Sequence, residues 1–258
     1  MTEVTSKIQT KNALSQKAAI AVIVVAAGRG SRAETSLPKQ YALVAGKTVL
    51  AHTIRALTIA LPSCIIKVVI HPDDVALYEE TRSSLGNNGD TISHTLGGAT
   101  RQDSVYAGLA ALADTPPDYV LVHDAARPFV SEKLISNLLT TLNTGAKAVI
   151  PALPVTDTLK RASGAIISDT VSRENLYRVQ TPQAFSFTDL IAAHKNAPHQ
   201  NFTDDAAIFE HSGGQVQICT GSEANFKITC PDDFTKAEAQ IMMTHADVRV
   251  GSGYDVHR

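Results

Sequence analysis

Glycines and cations follow the first apolar stretch of the chain at a spacing suited to holding phosphates. Residues 26–32 read Ala-Ala-Gly-Arg-Gly-Ser-Arg, and Lys39 lies shortly after them. Glycines let backbone N–H groups approach phosphate oxygens, and cations offset the phosphate charge. Because Arg29, Arg32 and Lys39 outnumber the single acidic residue between them, the segment has more positive charge than a pyrophosphate diester needs. The pattern favours a triphosphate, with a solvated basic loop as the alternative.

Two better-known phosphate motifs fit this part of the chain poorly. Residues 28–33 have the Gly-x-Gly-x-x-Ala spacing of a dinucleotide site, but such a site needs an acidic residue about 20 positions further on. No Asp or Glu occurs between Glu34 and Asp73. Residues 46–48 read Gly-Lys-Thr, like the end of a Walker A motif, yet the position of that motif's first glycine is Tyr41. Both motifs are therefore disfavoured.

A second glycine pair precedes a predicted helix. Residues 97–105 read Gly-Gly-Ala-Thr-Arg-Gln-Asp-Ser-Val. Thr100 and Asp103 have the spacing of a capping box, which would explain both residues structurally. The glycines also allow close backbone approach to a ligand, and a helix N-terminus favours an anion or the edge of a base. The residues alone favour the cap and the binding site equally.

A polar segment, His-Asp-Ala-Ala-Arg-Pro at residues 123–128, directly follows another apolar run. In α/β sheets this is where side chains of the functional site are placed. A local ion pair between Asp124 and Arg127 is the alternative. We expect His123 to make local hydrogen bonds rather than to act as a base.

The elements that would position these residues alternate along the chain. Short runs rich in Val and Ile predict strands at residues 19–25, 65–70, 119–122, 148–152 and 215–220. Amphipathic stretches predict helices at residues 48–60, 74–84, 101–113, 132–142, 186–195, 204–211 and 231–244. Nearly continuous apolar strands are typical of a parallel sheet covered on both faces. The alternation indicates an α/β fold whose ligands bind beyond the carboxyl ends of the strands.

Residues 154–178 interrupt this alternation. They contain strand-like residues around a Ser163-Gly164 turn but few large apolar side chains. A polar hairpin of this kind is marginally stable alone. We expect it to pack against another surface, and a second copy of the chain is one candidate.

Composition and charge exclude several protein classes. The chain has 258 residues, 44% hydrophobic and 19% charged, with a formal net charge of −2. This supports one large or two small domains and argues against a general nucleic-acid binder. The longest apolar run, residues 18–27, is shorter than the ~20 residues of a membrane helix, and residues 1–18 resemble a flexible leader rather than a secretory signal. Three cysteines without metal-type spacing suit the cytoplasm.

Several motifs, in order along about residues 19–244, resemble the methylerythritol 4-phosphate cytidylyltransferase family. The matching segments are AAGxGxR…PKQ, GGxxRxxSV, HDAARP, TDTLKR, SREN…TPQ, TDDA and NFKIT. Ribitol 5-phosphate cytidylyltransferases share most of them and are the nearest alternative. The resemblance implies a three-layer, Rossmann-like nucleotidyltransferase fold with a mainly parallel sheet and a protruding β-hairpin arm. It also implies transfer of CMP from CTP to methylerythritol 4-phosphate, with release of pyrophosphate, in non-mevalonate isoprenoid biosynthesis.

The same resemblance implies a role for each matching side chain. The catalytic residues would be Arg32, Lys39, Arg173 and Lys227. The nucleotide-binding residues would be Ala26, Ala27, Gly28, Gly30, Gly98 and Ser104. The substrate-binding residues would be Asp124, Arg127, Thr158 and Thr181. Thr158 and Arg173 would enter a partner's site through the arm, which implies a homodimer, and Mg²⁺ is expected with CTP, mostly on phosphate and water oxygens.

Residues 245–258 resemble the opening strand of a methylerythritol cyclodiphosphate synthase domain. That family binds a zinc-type ion through a D-x-H motif, here Asp255 and His257, and two ligands do not complete a tetrahedral site. We therefore expect a leader at 1–18, a cytidylyltransferase domain at 19–244 with its arm at about 154–178, and the start of a second domain of a bifunctional protein at 245–258.

Three functions remain compatible with these residues. The first is the cytidylyltransferase, and a fused synthase of the same pathway favours methylerythritol over ribitol as its acceptor. The second is a nicotinamide-dependent oxidoreductase, which the missing acidic residue after the second strand disfavours. The third is a catalytically idle nucleotide-binding scaffold, which would not need the charged residues at the matching positions.

Overall fold

The computed structural model describes residues 19–29, 37–86, 89, 92–198 and 202–245. Its strands are β1 (Ile20–Ala26), β2 (Leu43–Val44), β3 (Lys47–Thr48), β4 (Ile65–Ile70), β5 (Ser93–Leu96), β6 (Tyr119–Asp124), β7 (Ala148–Pro154), β8 (Leu159–Ser163), β9 (Ile166–Val171), β10 (Tyr177–Val179), β11 (Gln183–Ser186) and β12 (Gln217–Thr220). Its helices are α1 (Val49–Ala60), α2 (Val75–Ser83), α3 (Arg101–Ala110), α4 (Glu132–Leu142), α5 (Phe187–Asn196), α6 (Asp205–His211) and α7 (Pro231–His245). The predicted leader and the start of a second domain lie outside the described residues, apart from His245 at the end of α7.

The central sheet has eight strands in the order β10-β7-β11-β6-β1-β4-β5, and β12 pairs with β7. β1 pairs in parallel with β4 and β6, β4 pairs in parallel with β5, and β12 pairs in parallel with β7. β10 and β11 run antiparallel to β7. The sheet is therefore mostly parallel, as the apolar runs predicted.

Alternating side chains of the strands build a separate apolar core on each face of this sheet. On β1, Val22 and Val24 pack on one face with residues of α1, α2 and α4. Ala21 and Ile23 pack on the other face with residues of α3, α5 and α6. Because successive strand residues point to opposite faces, a run without polar residues supplies both cores. The result is a three-layer α/β fold.

A hairpin formed by β8 and β9 stands apart from the central sheet. The two strands pair in antiparallel fashion as a sheet of their own. The turn contains Gly164 at φ +59°, in the left-handed region that glycine adopts without steric cost. Most side chains of the hairpin are exposed. This confirms a polar hairpin within residues 154–178, although its strands occupy only residues 159–171. β10 then returns the chain to the sheet.

The structure also contains strands that the sequence patterns did not predict. β11 has four residues without a β-branched side chain and runs directly into α5. β5 is a polar edge strand reading Ser-His-Thr-Leu, so it lacks an apolar run.

The predicted helices differ from the observed ones mainly at their ends. α3, for example, ends at Ala110, three residues before the predicted end at residue 113. In the described ranges, we find no helix that is both long and apolar enough to cross a bilayer.

Candidate active site

A cavity of about 490 Å³ lies beyond the carboxyl ends of β1 and β6. Its wall is built from residues 25–29 at the end of β1 and just beyond it, residues 98–101 at the start of α3 and residues 124–126 at the end of β6 and just beyond it. Side chains that include Lys39 and Lys227 complete the wall. This is the sheet edge at which the sequence predicts ligand binding. The structure thus brings together three segments that are far apart along the chain.

Arg29, at the start of the glycine-rich segment, is held by acidic residues. Its guanidinium lies 2.6 Å from a carboxylate oxygen of Asp73 and 2.9 Å from one of Asp74. The side chain of Asp74 is almost fully buried. The positive charge of Arg29 is therefore balanced locally, and the excess of positive charge inferred from the sequence is smaller than expected. Gly30 and Arg32 lie outside the described residues.

Gln40 fixes the backbone that follows β1, a role that the sequence did not reveal. Its buried side-chain amide donates to the carbonyl oxygens of Ala26 at 2.7 Å and Gly28 at 3.0 Å. The neighbouring Lys39 donates through Nζ to the carbonyl oxygen of Ile228 at 3.0 Å. The PKQ motif contains both side chains, but only the charged one was expected to have a role.

The second glycine pair, Gly97 and Gly98, precedes the capped N-terminus of α3, and Gly98 is part of the cavity wall. The backbone N–H of Asp103 donates to Thr100 Oγ1 at 3.1 Å, and the N–H of Thr100 donates to the Asp103 carboxylate at 3.1 Å. This confirms the capping box. A Cβ on Gly97 would lie 2.7 Å from both Ala27 Cβ and Ser104 Oγ, so this close approach requires glycine. Gly98 and Ser104 also line the cavity, so the structural role does not exclude the predicted site.

Asp124, the last residue of β6, is the anionic centre of the cavity wall. Its carboxylate accepts from Lys227 Nζ at 2.8 Å and lies 3.6 Å from Arg127 Nε. Burial alone would raise the pKa of Asp124, but the charges of Lys227, Arg101 and Arg127 hold it well below its usual range. Asp124 therefore stays ionised, and it fixes the position of Lys227 instead of acting as a base.

His123 makes local hydrogen bonds, as predicted. Its ring is fully buried, with Nε2 2.9 Å from the carbonyl oxygen of Arg127 and Nδ1 3.1 Å from Thr181 Oγ1. A carbonyl oxygen only accepts, so Nε2 carries the proton. Burial lowers the pKa of His123 to about 4, so the neutral ring accepts the Thr181 hydroxyl proton through Nδ1. That hydroxyl also accepts from the backbone N–H of Asp124 at 3.0 Å.

Two hydrogen bonds to backbone carbonyl oxygens attach residues 225–228 to the loop after β6 and so place Lys227. Arg127 donates through a guanidinium nitrogen to the carbonyl oxygen of Asn225 at 2.8 Å. The N–H of Ile228 donates to the carbonyl oxygen of Ala126 at 2.9 Å. Arg127 therefore anchors this segment in addition to lying near Asp124.

A second, smaller cavity of about 200 Å³ adjoins the first one. It shares Arg101, Asp124 and Lys227 with the larger cavity and is also lined by Arg127 and Thr181. The structure thus places several of the predicted substrate-binding and catalytic residues in one wall. Arg101, which contacts both cavities, had no role in the expectations from the sequence.

The remaining predicted residues lie elsewhere. Thr158 and Arg173 are exposed on or next to the hairpin and line neither cavity of their own chain. Arg173 donates instead to the carbonyl oxygen of Thr156. Asp255 and His257 lie outside the described residues.

The chain is similar to known proteins in sequence and in fold. The sequence model of the IspD family, described as 2-C-methyl-D-erythritol 4-phosphate cytidylyltransferase, matches residues 20–243. The bifunctional enzyme IspD/IspF of Allorhizobium ampelinum is 46% identical over 245 residues, covering 92% of this chain and 60% of that protein. The Rhodospirillum rubrum enzyme of the same name is 43% identical over 241 residues, covering 93% of this chain and 62% of that protein.

A solved structure shows the same fold. The 4-diphosphocytidyl-2C-methyl-D-erythritol synthase of Anaerococcus prevotii is similar with a TM-score of 0.74 and 31% identity, covering 90% of this chain and 99% of that one. By contrast, the chain spans about 60% of the length of the curated bifunctional relatives that it matches.

The Asp124–Lys227 pair predicts a pH-dependent loss of stability. We expect Asp124→Asn to lower the free energy of unfolding by about 2 kcal/mol near neutral pH, the usual contribution of a hydrogen bond to a charged group with a partly exposed partner. The pKa of Asp124 is lowered by folding, so its contribution is complete above its usual value of about 4 and is lost as the pH falls below it. Urea unfolding of both proteins from neutral to acidic pH measures this difference.

The exposed pair of Asp189 with Lys147 supplies the control for this measurement. Asp189→Asn should change the free energy of unfolding by less than about 0.5 kcal/mol at every pH. A difference between wild type and Asp124→Asn that does not shrink in acid would contradict the assignment of Asp124 as an ionised anchor.

Proposed function

The chain belongs to the 2-C-methyl-D-erythritol 4-phosphate cytidylyltransferase family, IspD, and we propose that it transfers CMP from CTP to 2-C-methyl-D-erythritol 4-phosphate. Pyrophosphate is the second product, and the reaction serves non-mevalonate isoprenoid biosynthesis. The match of the family model over residues 20–243 is the observation that carries this proposal. The two adjoining cavities, which share a charged wall, supply room for a nucleotide next to an acceptor.

The larger cavity is the proposed nucleotide site. The residues assigned to it are Ala26, Ala27, Gly28, Gly98 and Ser104, all of which line it, with Gly30 outside the described part of the chain. Gln40 binds the carbonyl oxygens of residues 26 and 28. In a trans peptide the N–H group points opposite to the carbonyl group, so the N–H groups of residues 27 and 29 point away from Gln40. We assign those N–H groups as backbone donors to phosphate oxygens.

The proposed reaction is an in-line displacement at the α-phosphorus of CTP. A phosphate oxygen of the acceptor forms the new bond, and the bond to the bridging oxygen breaks with its electron pair leaving on pyrophosphate. Lys39 and Lys227 supply positive charge, and each is held by a hydrogen bond to the protein before the ligands arrive. Such preorganised cations stabilise developing negative charge without reorganisation. Arg32 is assigned the same role, and the acceptor phosphate needs no general base.

We place Mg²⁺ with the nucleotide rather than in a protein cage. Asp124 is the one carboxylate among the described residues that line the larger cavity, and Lys227 already holds it. Across the described ranges there is no group of three His, Cys, Asp or Glu side chains suited to a metal ion. When bound, the ion would offset part of the phosphate charge, and hard cations of this kind prefer oxygen ligands. The chain's own contribution is the set of cations that offset the remaining phosphate charge.

The smaller cavity is the proposed acceptor site, completed by the arm of a second copy of the chain. Asp124, Arg127 and Thr181 contact this cavity, whereas Thr158 and Arg173 lie away from it. The arm carries apolar side chains that its own chain does not cover, including Ile166 at 76% and Ile167 at 62% exposed. A second copy that covers this surface would bring Thr158 and Arg173 to its partner's cavities, which makes the protein a homodimer.

The remaining proposals concern the compartment in which the reaction takes place and the role of residues 245–258. The chain's free thiols, Cys64, Cys219 and Cys230, suit a reducing cytoplasm, where we place the reaction. Residues 245–258 are proposed to begin a cyclodiphosphate synthase domain, in line with the bifunctional relatives. Asp255 and His257 would be two of the ligands of its zinc-type ion.

Pyrophosphate release from CTP and Mg²⁺ tests the proposed reaction, with methylerythritol 4-phosphate and ribitol 5-phosphate as separate acceptors. We expect release with methylerythritol 4-phosphate. Lys39→Ala should lower kcat about 100-fold or more because it removes a preorganised cation, whereas Lys147→Ala, in an exposed ion pair, should not. Release of pyrophosphate with ribitol 5-phosphate alone would overturn the assignment of methylerythritol 4-phosphate as the acceptor. Binding of CTP without release from either acceptor would favour the idle scaffold.

Mixing two inactive variants tests the shared site. Lys39→Ala removes a cation from the larger cavity of its own chain, and Arg173→Ala removes a residue proposed to act on the partner's site. A dimer of one chain of each kind contains one complete site, so co-expression should restore activity that neither variant has alone. Sedimentation should show a dimer for each protein. Absence of restored activity in a verified mixed dimer would contradict the exchange of arms.

A further inference from the structure

Arg101 lies where the two cavities meet. It is the first residue of α3, its side chain is 28% exposed, and it lines both the larger and the smaller cavity. The motif GGxxRxxSV contains this arginine. Neither the proposed catalysis nor the proposed acceptor binding involves Arg101.

The fully buried carboxylate of Asp205, itself hydrogen-bonded to the fully buried His194, holds the guanidinium of Arg101. One of its nitrogens donates to a carboxylate oxygen of Asp205 at 2.7 Å. The second oxygen of Asp205 accepts from His194 Nε2 at 3.1 Å, and the side chains of both residues have no exposed surface. Burial raises the pKa of Asp205, but the charge of Arg101 and the hydrogen bond from His194 bring it below its usual range. The carboxylate is therefore ionised and fixes the guanidinium. The three side chains link α3, which carries Arg101, with α5, which carries His194, and α6, which carries Asp205.

The contact with Asp205 leaves further donors on the guanidinium of Arg101. A guanidinium has five N–H groups, and the contact with Asp205 is its one side-chain hydrogen bond within the described part of the chain. The side chain is 28% exposed and lines both cavities, so its remaining donors lie within reach of a ligand bound there.

The charges around Arg101 indicate what those donors would bind. Asp205 balances its charge directly, and Asp124 and Asp204 also raise the pKa of Arg101. Because the buried Asp205 already pairs with the guanidinium, little of the positive charge of Arg101 remains for a phosphate dianion. A hydroxyl group both accepts and donates, so it can bind the guanidinium and a neighbouring carboxylate at once.

We propose that Arg101 binds hydroxyl groups of a sugar at the junction of the two cavities, and that Asp205, supported by His194, is its positioning residue. The hydroxyl groups belong to the ribose of the nucleotide or to the sugar alcohol of the acceptor, because both are expected at this junction. This inference rests on the proposed function, which supplies the two ligands.

The double variant Arg101→Gln with Asp205→Asn tests the proposal while keeping the fold. It removes both charges of the buried pair together, so no uncompensated charge remains, and an amide pair can replace the ion pair. Arg82→Gln is the matched control, because Arg82 pairs with Glu79 on α2 and lines neither cavity. The single variant Asp205→Asn keeps Arg101 but weakens its positioning, and Arg101→Lys replaces the double variant if that protein does not fold.

KM and kcat are measured for CTP and for methylerythritol 4-phosphate, and Kd values from titration calorimetry give the same comparison without turnover. We expect the double variant to raise KM or Kd about tenfold for one of the two ligands, which corresponds to about 1.4 kcal/mol. A higher KM or Kd for CTP would show that Arg101 binds the ribose of the nucleotide. A higher KM or Kd for methylerythritol 4-phosphate would show that it binds the sugar alcohol of the acceptor. Asp205→Asn should weaken binding of the same ligand to a smaller extent, and Arg82→Gln should change neither.

Values within twofold of wild type for both ligands would overturn the proposal. A fall in kcat with both KM values unchanged would also overturn it, because that pattern places Arg101 on the reacting phosphate. Wild-type protein that binds CTP but turns over neither acceptor would defeat the proposed function instead, and the Kd comparison would still decide the role of Arg101.

Discussion

The ion pair between Asp124 and Lys227 is the interaction on which the site depends. A triphosphate site needs several cations close together, and cations at such distances repel one another. Asp124 lies at the end of a central strand, with Lys227 at 2.8 Å and Arg127 at 3.6 Å. One buried carboxylate thus compensates several cations and fixes the position of Lys227. The low pKa of Asp124 follows from the same arrangement.

This pair also joins distant parts of the chain. Asp124 ends β6 in the middle of the sheet, while Lys227 lies in the segment just before the last helix. Hydrogen bonds from Arg127 to Asn225 and from Ile228 to Ala126 hold that segment on the loop after β6. Both cavities share the resulting wall, so a ligand in either one contacts the same charges. A nucleotide and an acceptor bound there would be adjacent, as group transfer requires.

Local patterns in the sequence predicted much of the fold and part of the site. Strands such as β1 and β4 are continuous runs of apolar residues, and a buried parallel strand needs little else. The capping box of α3 depends on two residues three positions apart, so its spacing alone indicates it. β11 was missed because its four buried residues have neither β-branching nor alternation, and its place between β6 and β7 is set by tertiary packing.

Features that rest on distant partners could not be predicted in this way. Arg101 pairs with Asp205, 104 positions away, and Arg29 pairs with carboxylates 44 and 45 positions away. Arg29 was therefore expected to bind phosphate, and Arg101 was assigned no role, because neither ion pair is visible locally. The motifs identified which segments meet at the sheet edge, whereas the fold determines which of their charges remain available to a ligand.

A double-mutant cycle on kcat tests most directly whether Asp124 acts through Lys227. The variants are Asp124→Asn, Lys227→Met and the protein with both substitutions, with CTP and methylerythritol 4-phosphate as substrates. If Asp124 serves to hold Lys227, its loss costs little once Lys227 is absent, and the double variant should have nearly the kcat of Lys227→Met. Fold-losses that multiply in the double variant would show that Asp124 acts independently of Lys227, which would contradict this account.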